Sequence, residues 1–329
     1  MPAPAPIVER LDVERYGPGA VHRLRFRVAD LPDGSPLCVP LVLLVGRRRG
    51  PRLVAVAGVH GDEYEGPSAL MALGRELDPA EIDGTVLLVP VANPLAYNAG
   101  SREVPGEQLD LNRVFPGRPD GSLGCRLAHA LVHGIIAPCD LAIDLHSAGR
   151  TGRMLPLSGF REARGDVARR SAAAAAAFGL EFAWLMRWAP GTLSTALNEI
   201  GIPAVGCEIG GLGLARPEDV ALYKEGVIRC LCHLGSLDPP LKVEPPPKVW
   251  VFEAVAAPRS GLLDPVVELG GEVELGGLIA QVLDVWGEPL AEIRAPFAGK
   301  VLHQRFVRLV RAGETVVSLG RQVDNPVLD

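Results

Sequence analysis

The chain has 329 residues, of which 48% are hydrophobic and 22% charged, and its formal net charge is −6 at pH 7. These values are typical of a globular protein with one large core and a smaller additional unit. The acidic balance and the lack of a basic run argue against nucleic acid as the main partner. No signal peptide is visible and no apolar stretch reaches the ~18–20 residues of a membrane span, so we predict a cytoplasmic protein that binds no membrane.

The six cysteines of the chain follow no paired spacing. Because no export signal is visible, we interpret all six as reduced thiols. Cys139 and Cys207 are predicted inside apolar strands, where cysteine behaves as a small hydrophobic residue. Cys230 and Cys232 lie two apart on a predicted helix and do not share a face, so we reject a metal site there.

The predicted elements begin with a β-rich N-terminal segment, residues 1–48, expected to form an edge hairpin packed on the catalytic domain. Strands then alternate with helices through residues 49–237, which predicts an α/β domain whose sheet has helices on both faces. A proline-rich linker, residues 238–248, separates this domain from the rest. The predicted helices are 66–77, 122–137, 163–178, 192–200 and 217–236.

The first candidate site residues follow a short apolar strand, residues 52–57, where the chain turns into an apolar helix. His60 and Glu63 are three residues apart, which can place an imidazole nitrogen and a carboxylate on one side of a zinc ion. The pair alone is a weak indication, because two such residues are three apart by chance in many chains. A solvated turn is the competing interpretation.

A second apolar strand leads to His146, which would complete a set of three zinc ligands with a fourth position open for water. In open α/β sheets, sites gather outside the C-terminal ends of strands, where both segments end. A histidine buried in the core is the alternative. Asp144 points to the same face of the strand as His146 and can orient it from behind.

A third apolar strand, residues 202–207, leads into Glu208 and then into a glycine-rich loop. A carboxylate is costly to bury at such a place unless the protein uses it. Beside a metal its useful role is that of a general base, which takes a proton from water and passes it to the leaving nitrogen. A fourth metal ligand or an ion-pair partner of an arginine are the alternatives.

Two arginines precede these strands in loop segments. Arg113 can hold a carboxylate with its forked guanidinium, and the amide of Asn112 can add a hydrogen bond. Arg102 can polarise the scissile carbonyl as a positive charge placed where the oxyanion develops. Taken singly, each arginine is more often a surface charge.

Five motifs occur in a fixed order between residues 50 and 215, and together they resemble the succinylglutamate desuccinylase/aspartoacylase family, a branch of the zinc carboxypeptidase fold. They are Gly-Val-His-Gly-Asp-Glu, Asn-Pro-Leu-Ala, Asp-Leu-Asn-Arg-Val-Phe-Pro-Gly, Asp-Leu-His-Ser and Pro-Ala-Val-Gly-Cys-Glu-Ile-Gly. The resemblance implies a mixed β-sheet flanked by helices. It also implies that His60, Glu63 and His146 bind one zinc ion per chain.

The same resemblance assigns the remaining site residues. It implies that Glu208 is the base and proton shuttle, that Asn112 and Arg113 bind the substrate's α-carboxylate, and that Arg102 polarises the carbonyl. The implied activity is hydrolysis of the amide bond of a small N-acyl amino acid by a protein that can form a homo-oligomer. A metallocarboxypeptidase acting on short peptides and a non-catalytic ligand-binding homologue are the alternatives. Residues 61–66 and 74–81 look more like bacterial deacetylases of diaminobutyrate derivatives than like aspartoacylase itself.

After the linker, residues 249–329 change to short strands broken by glycines, and they resemble the two halves of a biotinyl/lipoyl-type β-barrel. In that module a carrier lysine lies on a hairpin, but the equivalent turn here, residues 286–289, has none. Lys300 is the only lysine after Val249, and it belongs to a predicted strand. We therefore predict a C-terminal β domain without lipoyl or biotinyl attachment and with a structural or gating role.

Overall fold

The computed structural model of the protein describes residues 4–163, 165–246 and 248–328. The α-helices of this part are α1 Glu65–Glu76, α2 Pro94–Ala99, α3 Leu123–His129, α4 Asp166–Phe178, α5 Leu193–Glu199 and α6 Pro217–Leu234. A π-helical segment, Ala130–Ile136, continues α3, and short 3-10 helices occur at Val13–Arg15, Leu111–Arg113 and Pro326–Leu328. None of the described helices is both long and apolar enough to cross a membrane.

The strands form two sheets. Their bounds are β1 Ile7–Val8, β2 Ala20–Asp30, β3 Pro36–Val45, β4 Arg48–Ala57, β5 Asp83–Val89, β6 Leu141–His146, β7 Gly152–Arg161, β8 Phe182–Met186, β9 Ala204–Gly211, β10 Lys248–Ala256, β11 Gly261–Pro265, β12 Glu272–Val273, β13 Leu278–Leu283, β14 Pro289–Arg294, β15 Gly299–Arg305, β16 Leu309–Val310 and β17 Thr315–Asp324. The larger sheet has the order β1-β2-β3-β5-β4-β6-β9-β7-β8-β10-β17-β15-β12, and the smaller one has the order β14-β13-β11-β16.

The centre of the larger sheet is the parallel set β5, β4, β6 and β9. These strands are apolar on both faces because helices cover both faces. Leu53 packs in a cluster with α1, α4 and α6, whereas its neighbour Val54 packs on the other face with α3 and α5. The predicted mixed sheet flanked by helices is confirmed.

The β2–β3 hairpin joins the central strands through an antiparallel pairing of β3 with β5, so it lies toward one edge of the sheet as predicted. The helices also lie where the sequence patterns predicted them. The segment predicted as one helix over 122–137 is α3 followed by the π-helical segment.

Two strand predictions need correction. Cys139 lies outside β6, which begins at Leu141, and it is only half-buried. Pro138, just before it, has no N–H to donate to a ladder, so the strand starts later. Glu208 lies inside β9 rather than after it, because β9 continues to Gly211 through pairing with β6 and β7.

The C-terminal strands continue the larger sheet. β10 pairs with β8 at Trp250 and Trp184, and β17, β15 and β12 follow in order. β15 also pairs with β7, where His303 lies opposite Met154. The smaller sheet encloses an apolar cluster with these strands that includes Val282 and Leu319.

Candidate active site

The loop between β4 and α1 carries His60 and Glu63, and neighbouring segments fix its shape. Gly58 has a positive φ of 66°, and a Cβ on Gly61 would collide with the backbone of Ala96. The side chain of Asn93 caps α2 and donates through Nδ2 to the Val59 carbonyl at 3.2 Å. The glycines and this asparagine therefore let the loop pack directly on α2.

Three donor groups converge beside the end of β6. Nδ1 of His60 lies 2.7 Å from Oε1 of Glu63, and Nδ1 of His146 lies 3.0 Å from Oε2 of Glu63. The two Nδ1 atoms are 3.2 Å apart, and all three side chains are buried. Ligands of a tetrahedral zinc ion with bonds of about 2.0–2.1 Å are separated by roughly 3.3 Å. The group therefore fits a metal ion of this size.

The outer nitrogen of each histidine faces a further carboxylate. Nε2 of His146 is 3.0 Å from Oδ2 of Asp144, and Nε2 of His60 is 3.2 Å from Oδ1 of Asp110. Carboxylates in this position fix the ring orientation and the tautomer of metal-binding histidines. Sequence analysis anticipated such a contact for Asp144 but assigned no role to Asp110, although that residue opens the Asp-Leu-Asn-Arg motif.

The electrostatics of the cluster favour a cation. Burial alone would lower the pKa of His146, but Asp144 and Glu63 outweigh it and raise that pKa well above its ordinary value. The pKa of His60 is raised in the same way, since Glu63 and Asp110 outweigh burial. Burial opposes ionisation of Glu63, yet the two histidines hold its pKa below the ordinary value. These carboxylates therefore stabilise positive charge between the donors.

Glu208 pairs with His146 across β9 and β6 and lines the cavity in front of the histidines. Its Oε2 atom is buried and has no hydrogen-bond partner among the described residues. Burial raises the pKa of Glu208 to about 8, and the nearby Glu63 adds to the rise. A carboxyl group in this state can both accept and return a proton near neutral pH.

Arg102 and Asn112 also reach the donor cluster. Nη2 of Arg102 donates to Oδ2 of Asp110 at 3.0 Å, and Nη1 lies 3.5 Å from Oε1 of Glu63. Nδ2 of Asn112 lies 3.3 Å from Nε2 of His146, while its Oδ1 accepts from the Leu193 N–H at 2.8 Å. The latter bond ties the Asn112 loop to the start of α5.

Arg113 lies further out. Its side chain is 60% exposed, and its Nη1 donates to the carbonyl of Asn112 at 2.7 Å. The guanidinium lines the cavity, where its distance of 4.0 Å from Asp110 leaves it without a close counter-ion.

One cavity of about 340 Å³ joins these groups. Seven of the eight residues singled out from the sequence line it, and Glu63 lies behind them, bridging the histidines. Sequence analysis missed Arg161, which follows a buried strand position and has no motif around it. It also missed Tyr223, whose hydroxyl donates to the carbonyl of His146 from the opposite face of the sheet.

The sequence of the chain is similar to a family model and to a characterised relative. Residues 49–234 match the model of the succinylglutamate desuccinylase/aspartoacylase catalytic domain. The chain is 32% identical over 333 residues to N-alpha-acetyl-L-2,4-diaminobutyric acid deacetylase of Halomonas elongata, covering 98% of this chain and 97% of the relative.

Solved structures are similar over most of the chain. The product-bound ectoine utilization protein EutE of Ruegeria pomeroyi is 30% identical, with a TM-score of 0.83 over 91% of this chain and 95% of that one. A succinylglutamate desuccinylase/aspartoacylase from Rhodobacter sphaeroides is 28% identical, with a TM-score of 0.85 over 95% of this chain and 99% of that one.

Proposed function

Because the chain belongs to the succinylglutamate desuccinylase/aspartoacylase family, we propose that it is a zinc-dependent deacylase of a small N-acyl amino acid. Family membership confirms the resemblance drawn from the five motifs. The observation that carries the proposal is one cavity in which two Nδ1 atoms and a carboxylate converge beside the unpartnered Oε2 of Glu208. The similarity to the Halomonas elongata deacetylase favours an N-acetylated diaminobutyrate as substrate.

In this proposal His60, Glu63 and His146 hold one zinc ion per chain. When bound, zinc would supply Lewis acidity and an activated water at neutral pH. Asp144 and Asp110 hold the two imidazole rings with Nδ1 directed inward. This arrangement keeps each ring in the neutral tautomer that a metal requires.

The other residues act on the substrate and the proton. Glu208 accepts the proton of the attacking water and delivers it to the leaving nitrogen. Arg102 places positive charge beside the donor cluster, where it stabilises the oxyanion that forms on the acyl carbonyl. Asn112 and Arg113 bind the α-carboxylate at the outer part of the cavity.

The cavity favours a small substrate over a peptide. Its volume of about 340 Å³ is near the lower end of the ~300–1,000 Å³ usual for ligand pockets. A metallocarboxypeptidase needs room for a peptide chain beyond the scissile bond, so this alternative is less favoured. A homologue without catalysis is disfavoured because the base and all three metal-binding groups are present.

Hydrolysis and metal content test the proposal together. We expect the zinc-loaded protein to release acetate from N-acetyl-L-2,4-diaminobutyrate, and His60→Ala and His146→Ala to bind less than one zinc per chain and lose turnover. His133→Ala, on the exposed side of the π-helical segment, is the matched control. Full zinc retention in both site variants would contradict the ligand assignment, and preferential cleavage of short peptides would favour the carboxypeptidase.

Several wider assignments belong to the same proposal. We assign residues 1–48, 49–237, 238–248 and 249–329 to the N-terminal segment, the catalytic domain, the linker and the C-terminal β domain. The two four-stranded layers formed by residues 248–324 support a biotinyl/lipoyl-like arrangement without a carrier lysine.

The six cysteines form no disulfide, which supports a cytoplasmic protein. A homo-oligomer stays a prediction.

A further inference from the structure

Strands β6, β9 and β7 form one part of the cavity wall, to which they contribute Asp144, Gly206 and Arg161. Across β6, β9 and β7, Asp144 lies opposite Gly206, and Gly206 lies opposite Gly159. Two residues after Gly159 on β7, Arg161 lies opposite Met186 of β8. Arg161 lines the cavity together with Met186, whose side chain lies against Gly206.

The guanidinium of Arg161 is held in place by uncharged groups. Its Nε donates to Oγ of Ser194 at 2.9 Å, and its Nη1 donates to the carbonyl of Arg187 at 2.7 Å. Within the described chain, Nη2 has no acceptor, and no carboxylate lies within 4.0 Å of the guanidinium. The side chain is therefore fixed in orientation without a carboxylate at ion-pair distance, and Asp144 acts on it only from further away.

This arrangement is unusual within the cavity. Arg102 has carboxylate partners within 4.0 Å, Glu63 and Asp110, whereas among the described residues Arg161 has no carboxylate within this distance. Burial lowers the pKa of Arg161 to about 10, and the positive charge of Arg113 adds to the effect against the opposing influence of Asp144. A partly desolvated cation without a partner is costly, and an anionic ligand would relieve that cost.

We propose that Arg161 binds a carboxylate of the substrate's amino acid part, within the cavity that Arg113 also lines. The inference rests on the proposed function and adds a second carboxylate-binding group to it. Both arginines line one cavity and carry like charges, so a carboxylate bound near both is stabilised by both. The carboxylate is either the α-carboxylate or a second one on the amino acid side chain, and the two sources give different patterns below.

Equilibrium binding tests the role without depending on turnover. We would titrate the zinc-loaded Glu208→Gln protein, with and without Arg161→Gln, with N-acetyl-L-2,4-diaminobutyrate, its α-carboxamide and N-acetyl-L-aspartate by calorimetry. Arg161→Gln should weaken binding of a carboxylate ligand about tenfold or more. It should change binding of the carboxamide no more than about twofold, because that ligand has no charge for Arg161 to bind.

The pattern across ligands identifies the carboxylate. A loss on both acids indicates the α-carboxylate, and a loss on N-acetyl-L-aspartate alone indicates the side-chain carboxylate. Equal losses on acid and carboxamide, or no loss on any ligand, would overturn the proposal. Failure of the parent protein to hydrolyse any N-acyl amino acid would reject the proposed function separately, because the binding comparison uses an inactive background.

Two further variants guard against a purely structural effect. Arg259→Gln removes an exposed arginine between β10 and β11, away from the cavity lining, and should leave binding of all three ligands unchanged. Arg161→Lys keeps the positive charge but loses the forked guanidinium. Compared with Arg161→Gln, it should therefore bind the acid more tightly and the carboxamide equally well. If Arg161→Gln fails to fold, the acid-to-carboxamide ratio of Arg161→Lys decides the question, and a ratio equal to that of the parent overturns the proposal.

Discussion

Glu208 combines burial with an open side, and this combination suits a group that must gain and lose a proton within one reaction. Its Oε2 has no described hydrogen-bond partner, and burial raises its pKa to about 8. We predict that Glu208→Gln keeps one zinc per chain but lowers kcat by ~10²–10⁴-fold, because an amide cannot shuttle a proton. Steady-state kinetics with metal analysis of the same preparation measures both effects.

An exposed glutamate supplies the comparison for this variant. Glu81→Gln changes the same functional group at the surface and should match the parent protein in zinc content and rate. An active Glu208→Gln protein that has lost its zinc would instead make Glu208 a metal ligand.

Asp110 connects three parts of the site although it is not one of the three residues proposed to hold the metal. It faces Nε2 of His60, accepts from Arg102 and caps the backbone of Asn112. We predict that Asp110→Asn weakens zinc binding about 10–100-fold, because the His60 ring loses its charged partner. Competition with a chelator of known affinity measures the change.

Asp120→Asn, an exposed loop aspartate, is the matched control and should bind zinc as the parent does. Unchanged zinc affinity in Asp110→Asn would mean that the protein fold alone orients His60.

Site residues that lie in local motifs could be predicted from the sequence. A residue that only long-range strand pairing brings to the site could not. His60, Glu63 and His146 were identifiable because each follows an apolar strand and has a residue type that zinc prefers. Arg161 has no such signal. Its position depends on the pairing of β7 with both β8 and β9, and such long-range pairing leaves no trace in local spacing.

The junction between β7 and β15 contains a partly buried histidine. His303 lies opposite Met154 beside Gly152, and burial, with a smaller effect of Arg305, lowers its pKa to about 4. The folded protein therefore binds fewer protons than the unfolded chain between about pH 6.5 and 4. The contribution of His303 to the free energy of unfolding is fully present above about pH 6.5. It falls by up to roughly 3 kcal/mol as the pH drops toward 4.

Urea unfolding at pH 7 and pH 4.5 tests this expectation. His303→Gln should reduce the difference in unfolding free energy between the two pH values, since glutamine does not titrate there. His133→Gln, at an exposed histidine, should leave the difference as it is in the parent. An equal pH dependence in parent and His303→Gln proteins would contradict the role of His303.

The hydrophobic pattern was sufficient to predict the type and the position of the secondary-structure elements, but not the order of the strands in the sheet. The alternation of apolar strands and amphipathic helices predicted each major helix, because burial of one face has a local period. The antiparallel insertion of β7 between β9 and β8 could not be predicted, because neighbouring strands in the sheet are far apart in the chain. That insertion brings Arg161 to the cavity wall beside Gly206 of β9.

For the whole molecule, the proline-rich segment suggested a boundary, yet the strands on its two sides share one sheet. β10 and β15 pair with β8 and β7, so the C-terminal strands extend the sheet that carries the site. Amino-acid composition indicates a linker and a change to short strands after it. Composition does not indicate which strands on the two sides of the linker pair with each other. The strands on the two sides of the linker are therefore joined by backbone hydrogen bonds within one sheet.

This continuity gives a prediction for the truncated chain that ends at residue 237. Removing the C-terminal strands uncovers the apolar faces of Leu157 and Phe182, which pack with Leu302, and breaks the stacking of Trp184 on Phe252 at 4.2 Å between ring centroids. It also leaves the edges of β7 and β8 unpaired, which favours association between chains. We expect the truncated protein to aggregate or to unfold well below the parent's Tm, as measured by light scattering and thermal unfolding. A monomeric truncated chain with the parent's Tm would contradict this, and would show that the catalytic part folds independently of the strands that extend its sheet.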